Sequence, residues 1–206
     1  MNTKYPIILA ITAASGVVYG VRVLEFLLKN GYKTELVISS KAYYIAKYEL
    51  GLELSHCKET IHRNILNFLK LKTENLKVWL DDELWANPSS GSYRTQGMII
   101  APASMAVISA ISHGHAENLV TRAADVCLKE KRPLTIVPRE TPLNTIHLEN
   151  MLKLSNLGVN VVPPVFGHYA KIKTLDDGIN FVIGKILDAH KINNDLYERW
   201  HYEEEK

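Results

Sequence analysis

Four residues, Leu134-Thr135-Ile136-Val137, constrain the fold of this chain more than any others. A run this short, apolar and β-branched is the mark of a strand buried on both faces, and such strands belong to parallel sheets covered by helices. Pro138 and Pro142 follow and bracket Arg139-Glu140-Thr141. Neither proline can donate to a sheet ladder, and each drives the residue before it toward extended or turn backbone. From Asn144 the apolar residues Ile146, Met151, Leu152 and Leu154 return at helical spacing. Two charged side chains therefore sit in a stiff loop between a buried strand and a helix. In an open α/β sheet that is the carboxyl end of a strand, where ligands bind. A surface Arg and Glu in a connecting loop fit this stretch alone equally well.

The same grammar runs through the rest of the chain. Residues 6–11 read as a buried parallel strand ending in the small residues Thr12-Ala13-Ala14-Ser15-Gly16. Residues 17–29 put Val17, Val21, Leu24, Leu27 and Leu28 on one helical face, and Asn30-Gly31 supplies a C-cap. A second strand, 34–38, closes on Ser39-Ser40-Lys41, and a helix over about 42–50 carries Tyr43, Tyr44, Tyr48 and Glu49. This β-α-β-α order opens a doubly wound sheet. Residues 59–71 have helical periodicity, 77–80 fit either a short strand or a turn, and 81–95 are polar, with 88–92 as a flexible loop. A third strand, 98–101, ends in Pro102-Ala103-Ser104 and is followed by helices over 105–112 and 117–131. Strand 134–137 is the fourth, with a helix over about 144–156. A fifth, 159–162, closes on Pro163-Pro164, and a loop with Phe166, His168 and Tyr169 precedes a last helix over about 175–190. The expected fold is α/β: a three-layer, doubly wound parallel sheet in a single domain over 1–206, with a C-terminal tail from about 193 that starts amphipathic and ends in four charges.

Composition excludes several classes. A net charge of +2, from 24 basic and 22 acidic side chains, leaves no electrostatic footprint for nucleic acid or an anionic membrane. The first apolar run, 7–11, is too short for a signal segment or a membrane span. Cys57 and Cys127 lack metal or redox spacing and fit buried free thiols in a reducing cytosol, so a cytoplasmic location is expected. The eight histidines show no ligand motif, and no metal is expected.

Three strand ends carry hydroxyl residues: Thr12 and Ser15, Ser39 and Ser40, and Ser104. A parallel sheet brings all three to one edge, each leading into a helix N-terminus whose free N–H groups favour an anion. Plain helix capping accounts for each alone; three together point to a nucleotide phosphate. The first loop is not G-x-G-x-x-G, so the dinucleotide fingerprint is absent. Arg122 and Lys129, seven apart, share a helix face, and with Arg139, Lys185 and Glu140 make a second set suited to another phosphate. A solvated basic face fits the same spacing.

At these residues the chain resembles the UbiX family of flavin prenyltransferases. The resemblance runs from about residue 8 to residue 200. It is most specific at Asn118-Leu119-Val120-Thr121-Arg122-Ala123-Ala124-Asp125-Val126-Cys127-Leu128-Lys129-Glu130 and at Val137-Pro138-Arg139-Glu140-Thr141-Pro142-Leu143. Residues 12–16, Ser90-Gly91-Ser92-Tyr93 and Ala101-Pro102-Ala103-Ser104-Met105 match as well. The resemblance implies a Rossmann-like, flavodoxin-type sheet and FMN held non-covalently, in a homo-oligomer, usually a dodecamer, with sites at subunit interfaces. It implies transfer of a dimethylallyl group from dimethylallyl phosphate to N5 and C6 of reduced FMN, without a metal. The product, prenylated FMN, serves UbiD-type decarboxylases, whether in ubiquinone synthesis or in aromatic acid breakdown.

Carried over by position, Ala13, Ala14, Ser15, Ser40, Ser104, Met105, Ala106, Val107 and Arg139 would contact FMN. Tyr169 and Lys185 would hold the prenyl phosphate, with Arg122, Lys129 and Glu140 lining the same pocket and Trp200 as an aromatic lid. Glu140, Ser15 and Glu49 would be the catalytic groups. Three positions depart from the family pattern: Ala13 replaces a usual Gly, Ala103 a usual Cys, and Lys185 a usual Arg. Ala13 forces ordinary backbone on the loop, and Lys185 keeps the charge but loses the bidentate fork. Two rival readings fit the same residues. One is an FMN carrier or accessory subunit of a decarboxylase. The other is a flavin-dependent cysteine decarboxylase, whose P-A-S-A-N-T segment is only begun by Pro102-Ala103-Ser104-Met105.

Overall fold

Alternation along one strand organises the molecule. In the computed structural model, which describes residues 4–200, strand β1 (Ile7–Ile11) lies at the centre of a sheet. Its residues Ile7, Leu9 and Ile11 point into one apolar cluster while Ile8 and Ala10 point into another. Successive side chains of a strand face opposite sides, so a strand buried at all five positions needs a layer of helices on each face. The sheet has six strands, all parallel: β1, β2 (Thr34–Ile38), β3 (Leu76–Leu80), β4 (Met98–Ala103), β5 (Leu134–Pro138) and β6 (Asn160–Val161), in the order β3-β2-β1-β4-β5-β6. Five strands are expected from the sequence. The sixth is β3, the stretch left open between strand and turn, and it pairs with β2 from Thr34↔Leu76 to Ile38↔Leu80. Without this edge strand the remaining order is the flavodoxin-type one; with it, three strands stand on either side of the crossover.

The helices follow the reversal of winding between β1 and β4. Helices α1 (Val17–Lys29), α2 (Tyr43–Leu50), α3 (Lys58–Leu69) and α7 (Leu175–Ala189) pack on one face, through Leu24, Leu27, Ala46, Ile61, Ile65, Ile183 and Ile186. Helices α4 (Met105–Ser112), α5 (Leu119–Lys129) and α6 (Thr145–Asn156) cover the other, through Ile108, Ile111, Val120, Ala123, Cys127 and Leu154. Gly20 lets α1 lie close to the sheet, for a Cβ there would stand 2.1 Å from the Ala101 carbonyl. β4 is a central strand that contains Pro102, which has no N–H to give. The strand shifts register between Ile100 and Ala103, the irregularity a proline in mid-sheet requires.

Within the polar stretch 81–95, the loop over 88–92 differs from its expected flexibility. Ala86 and Pro88 are buried, and the carbonyls of Ser89 and Tyr93 accept from Arg122 Nε at 3.1 Å and Arg132 Nη1 at 2.7 Å. The Tyr93 hydroxyl donates to the buried carboxylate of Glu35, whose other oxygen takes Trp79 Nε1 at 2.9 Å. Arginines from α5 and its exit thus strap the loop down. The charged end of the tail lies outside the described residues.

Candidate active site

The carboxyl ends of β1 and β4 meet where the winding reverses, which is where open α/β sheets bind ligands. Thr12, fully buried, knits the two ends together. Its N–H and hydroxyl both donate to the Pro102 carbonyl, at 3.2 and 2.8 Å, and its Oγ1 accepts the Ser104 N–H at 2.9 Å. The loop beyond is made of small residues: Ala13 is half-buried, Ala14 buried and Ser15 exposed. Its left-handed residue is Gly16, at φ +93°, while among the described residues the non-glycine residues with positive φ are four lysines elsewhere. Ala13 therefore keeps the ordinary backbone expected of an alanine. A Cβ on Gly16 would come within 3.0 Å of the Tyr19 ring and 3.8 Å of Arg139 Cγ, so the first loop and the β5 loop are neighbours.

Helix α4 starts at this junction. Ser104 caps it, accepting the Val107 N–H at 3.3 Å through its side chain and the Ile108 N–H at 3.0 Å through its carbonyl. The first N–H groups of a helix lack intrahelical partners, which leaves those of Met105 and Ala106 for a ligand. Arg139, directly after β5, has its N–H on the Ala103 carbonyl at 3.3 Å. Its side-chain Nε is buried yet bonded to nothing in the protein. An orphaned guanidinium N–H beside a cradle of Ala and Gly fits a bound anion or a flavin heteroatom. Glu140 is exposed, and its carboxylate is turned back to accept the Thr141 N–H at 3.0 Å.

Two carboxylates occupy other N–H groups at this edge. Glu49, half-buried on α2, accepts the Gly16 N–H at 3.1 and 3.0 Å and the Val17 N–H at 3.0 Å. Asp81, just past β3, accepts both the N–H and the hydroxyl of Ser40, at 2.9 and 3.2 Å. Asp81 is absent from the sequence-derived candidates because its position follows from β3, whose sequence fits a strand or a turn equally. Burial, with Asp81 and Asp82 nearby, pushes the Tyr43 phenol up to about 12. His56, Asp81 and Asp82 place ligand atoms within 4.8 Å of one another, but Asp81 serves Ser40 and His56 pairs with Asp82 at 3.1 Å.

The second candidate set does not converge within one chain. Arg122 donates to the Ser89 carbonyl and to Asp125, the latter at 2.8 Å, and Lys129 pairs with Glu130. Helix α5 begins at the carboxyl edge, with the Leu119 N–H on the Asp81 carbonyl at 2.7 Å, and runs back toward the start of β5. That puts Lys129 and Arg139 at opposite ends of a five-residue strand, roughly 16 Å along the sheet at 3.3 Å per residue. Seven-residue spacing correctly puts Arg122 and Lys129 on one helix face, but carries no information about which end of the sheet each reaches.

The third group is aromatic. Tyr169 meets Phe181 and Trp200 edge-on, with centroids 5.8 and 6.0 Å away, and Phe181 meets Tyr197 at 5.0 Å. Lys185 Nζ stands 5.9 Å from the Tyr197 ring. Burial and a hydrogen bond to Asp188 push the Tyr197 phenol up to about 12. Tyr197 and Phe181 link Lys185 to Tyr169 and Trp200, a connection with no sequence signal beyond a general aromatic tail.

Comparison with known proteins agrees with this geometry. A model of the flavoprotein family matches residues 1–190. The flavin prenyltransferase UbiX of Alkalihalophilus pseudofirmus is 46% identical over 191 residues, covering 92% of this chain and 93% of that one. The chain belongs to the UbiX family of flavin prenyltransferases. Among solved structures, AnUbiX in complex with FMN and dimethylallyl pyrophosphate superposes with a TM-score of 0.86 at 36% identity, over 97% of this chain and 99% of that one. A dodecameric FMN-dependent UbiX-like decarboxylase from Escherichia coli gives 0.84 at 37% identity, over 96% of this chain and 100% of the other. The UbiX-type fold thus spans nearly the whole chain.

Proposed function

We propose that this chain transfers a dimethylallyl group from dimethylallyl phosphate to N5 and C6 of reduced FMN, making prenylated FMN for a UbiD-type decarboxylase. The observation that carries the reading is the Thr12–Ser104 knot at the switch point with the unsatisfied Arg139 Nε beside it. Bound there, reduced FMN would supply the nucleophilic positions of the reaction. The chain's own work would be to hold it and to manage the donor. Ala13, Ala14 and Ser15 would allow close approach, the Ser104 hydroxyl and the N–H groups of Met105 and Ala106 would supply polar contacts with Val107 and Ser40 beside them, and Arg139 would bond the flavin.

Breaking an allylic C–O bond needs positive charge at the leaving phosphate and a surface that tolerates a carbocation-like carbon. Lys185, Arg122 and Lys129 would provide the first, each preorganised donor being worth on the order of 10²–10³ in rate. Tyr169 and Trp200 would provide the second through their π faces. Glu140, with Ser15 and Glu49, would move protons between flavin N5, the loop and the departing phosphate.

Because one chain keeps Lys129 a strand's length from Arg139, the complete site calls for neighbouring copies. The outward face of α6, with Ile146, Leu148 and Leu152 all more than half exposed, supports such an assembly, and the dodecameric relative offers a size for it. None of the described helices is long and apolar enough to cross a membrane.

The test is incubation with reduced FMN and either dimethylallyl phosphate or the diphosphate, followed by mass analysis of the flavin. Formation of the dimethylallyl adduct is the expected result. FMN binding with no adduct from either donor would leave a carrier instead of an enzyme.

A further inference from the structure

The sheet order of this chain is the one that, in dinucleotide-binding proteins, seats a pyrophosphate on the N-terminus of the first helix. Here that seat is filled from within. The N–H groups of the α1 cap residue Gly16 and of its first residue Val17 are both spent on Glu49, whose two carboxylate oxygens lie 3.0–3.1 Å from them. A second carboxylate closes the neighbouring half of the crevice. In dinucleotide sites the end of β2 offers an acidic side chain to the ribose of the second nucleotide. In this chain β2 ends in Ser39-Ser40-Lys41, and the Ser40 N–H and hydroxyl are consumed by Asp81. Across the switch point, by contrast, the start of α4 is capped only by the neutral hydroxyl and carbonyl of Ser104.

We infer that Glu49 is a specificity-determining residue: its carboxylate acts as a built-in substitute for a pyrophosphate and restricts the site to a mononucleotide flavin. The inference rests on the proposed FMN site. A dinucleotide reaching α1 would have to displace Glu49 and leave a half-buried carboxylate facing its own phosphates. Like charges at that distance repel, and the displaced carboxylate would lose three charge-assisted hydrogen bonds. FMN, with its single phosphate, never meets this obstacle if it sits over β1, β4 and β5.

The experiment titrates the assembled protein and its Glu49→Ala and Glu49→Gln variants with FMN, FAD and ADP, following flavin fluorescence for the first two and calorimetric heat for ADP. The wild-type protein should take FMN and reject FAD and ADP. Glu49→Ala should lower the ratio of FAD to FMN dissociation constants by about tenfold, the scale of one anion at a helix N-terminus, and should let ADP bind measurably. Glu49→Gln, which keeps shape and removes charge, should move the ratio in the same direction by less. A purely structural capping role would weaken all ligands together and leave the ratio fixed in both variants, and that result would overturn the inference. Wild-type protein that binds FAD as tightly as FMN would overturn it while leaving the proposed reaction intact. Failure of the wild type to bind FMN would instead remove the proposed reaction, and this inference with it.

Discussion

Thr12 and Ser104, 92 residues apart in sequence, are joined by one hydroxyl that accepts the Ser104 N–H while donating to the Pro102 carbonyl. Because both ends of that bridge are backbone, it fixes the relative position of two loops and not merely of two side chains. Thr12→Val keeps the volume and strands a buried N–H and a buried carbonyl lone pair, at a cost of about 1–3 kcal/mol. Chemical denaturation should register that loss, and FMN affinity should fall with it. A variant as stable as the parent with full FMN affinity would mean the two loops are held by something else.

Arg139 makes the opposite prediction about stability. Its buried Nε has no protein partner, so Arg139→Met should leave the FMN-free protein as stable as the parent or slightly more so. FMN affinity should drop by about tenfold or more, the scale of a charge-assisted hydrogen bond. Flavin titration and a melting curve on the same sample separate the two effects; unchanged affinity would move Arg139 out of the flavin site.

Glu140 and Lys185 divide binding from chemistry. Glu140→Gln should retain FMN affinity and slow adduct formation by about 10²-fold, the usual reach of a positioned acid or base. Lys185→Ala should raise the donor concentration needed for half-maximal rate, whereas Lys185→Arg, by restoring a bidentate fork, should lower it. A donor dependence identical in all three proteins would exclude Lys185 from the phosphate site.

His190 sets an acid limit far from the chemistry. It is buried between α7 and β5, its Nδ1 3.1 Å from Thr135 Oγ1, and burial pushes its pKa down from 6.5 to about 4. Below pH 6.5 the unfolded chain binds a proton here that the folded chain refuses until about pH 4. Stability contributed by the neutral ring is thus complete above pH 6.5 and is lost as pH falls across that window, by roughly 3 kcal/mol in full. Melting temperature should decline from pH 7 to pH 4.5, and His190→Gln should flatten the decline. An equally steep slope in the variant would assign it to other groups.

What could be read from sequence was whatever depends on local periodicity. The runs at 7–11 and 134–137, with Leu36-Val37-Ile38 between them, are too apolar on both faces for anything but a covered parallel sheet. β3 escaped because an edge strand has a wet side: Lys77 is exposed and Trp79 half-covered, and its pairing with β2 lies far away in sequence. The order of the 88–92 loop is hidden for a related reason. Its Pro, Ser and Gly residues look loose, but what holds them is a pair of arginines some 30–40 residues later. The candidate residues were legible as chemical types and through family resemblance. Their distribution over three separate places on one chain follows from helix direction, and Glu49 and Asp81 as internal anions follow from contacts between loops, neither of which residue spacing encodes.

The sheet's two margins also say something about how such a chain can multiply. β6 pairs through only two residues, Asn160 and Val161, and β3 turns the charge of Lys77 outward. Short or charged margins are poor templates for another strand. In the proposed assembly, copies of this chain would therefore meet through helical surfaces and not through added strands, a mode of contact that favours a closed set of subunits over a ribbon.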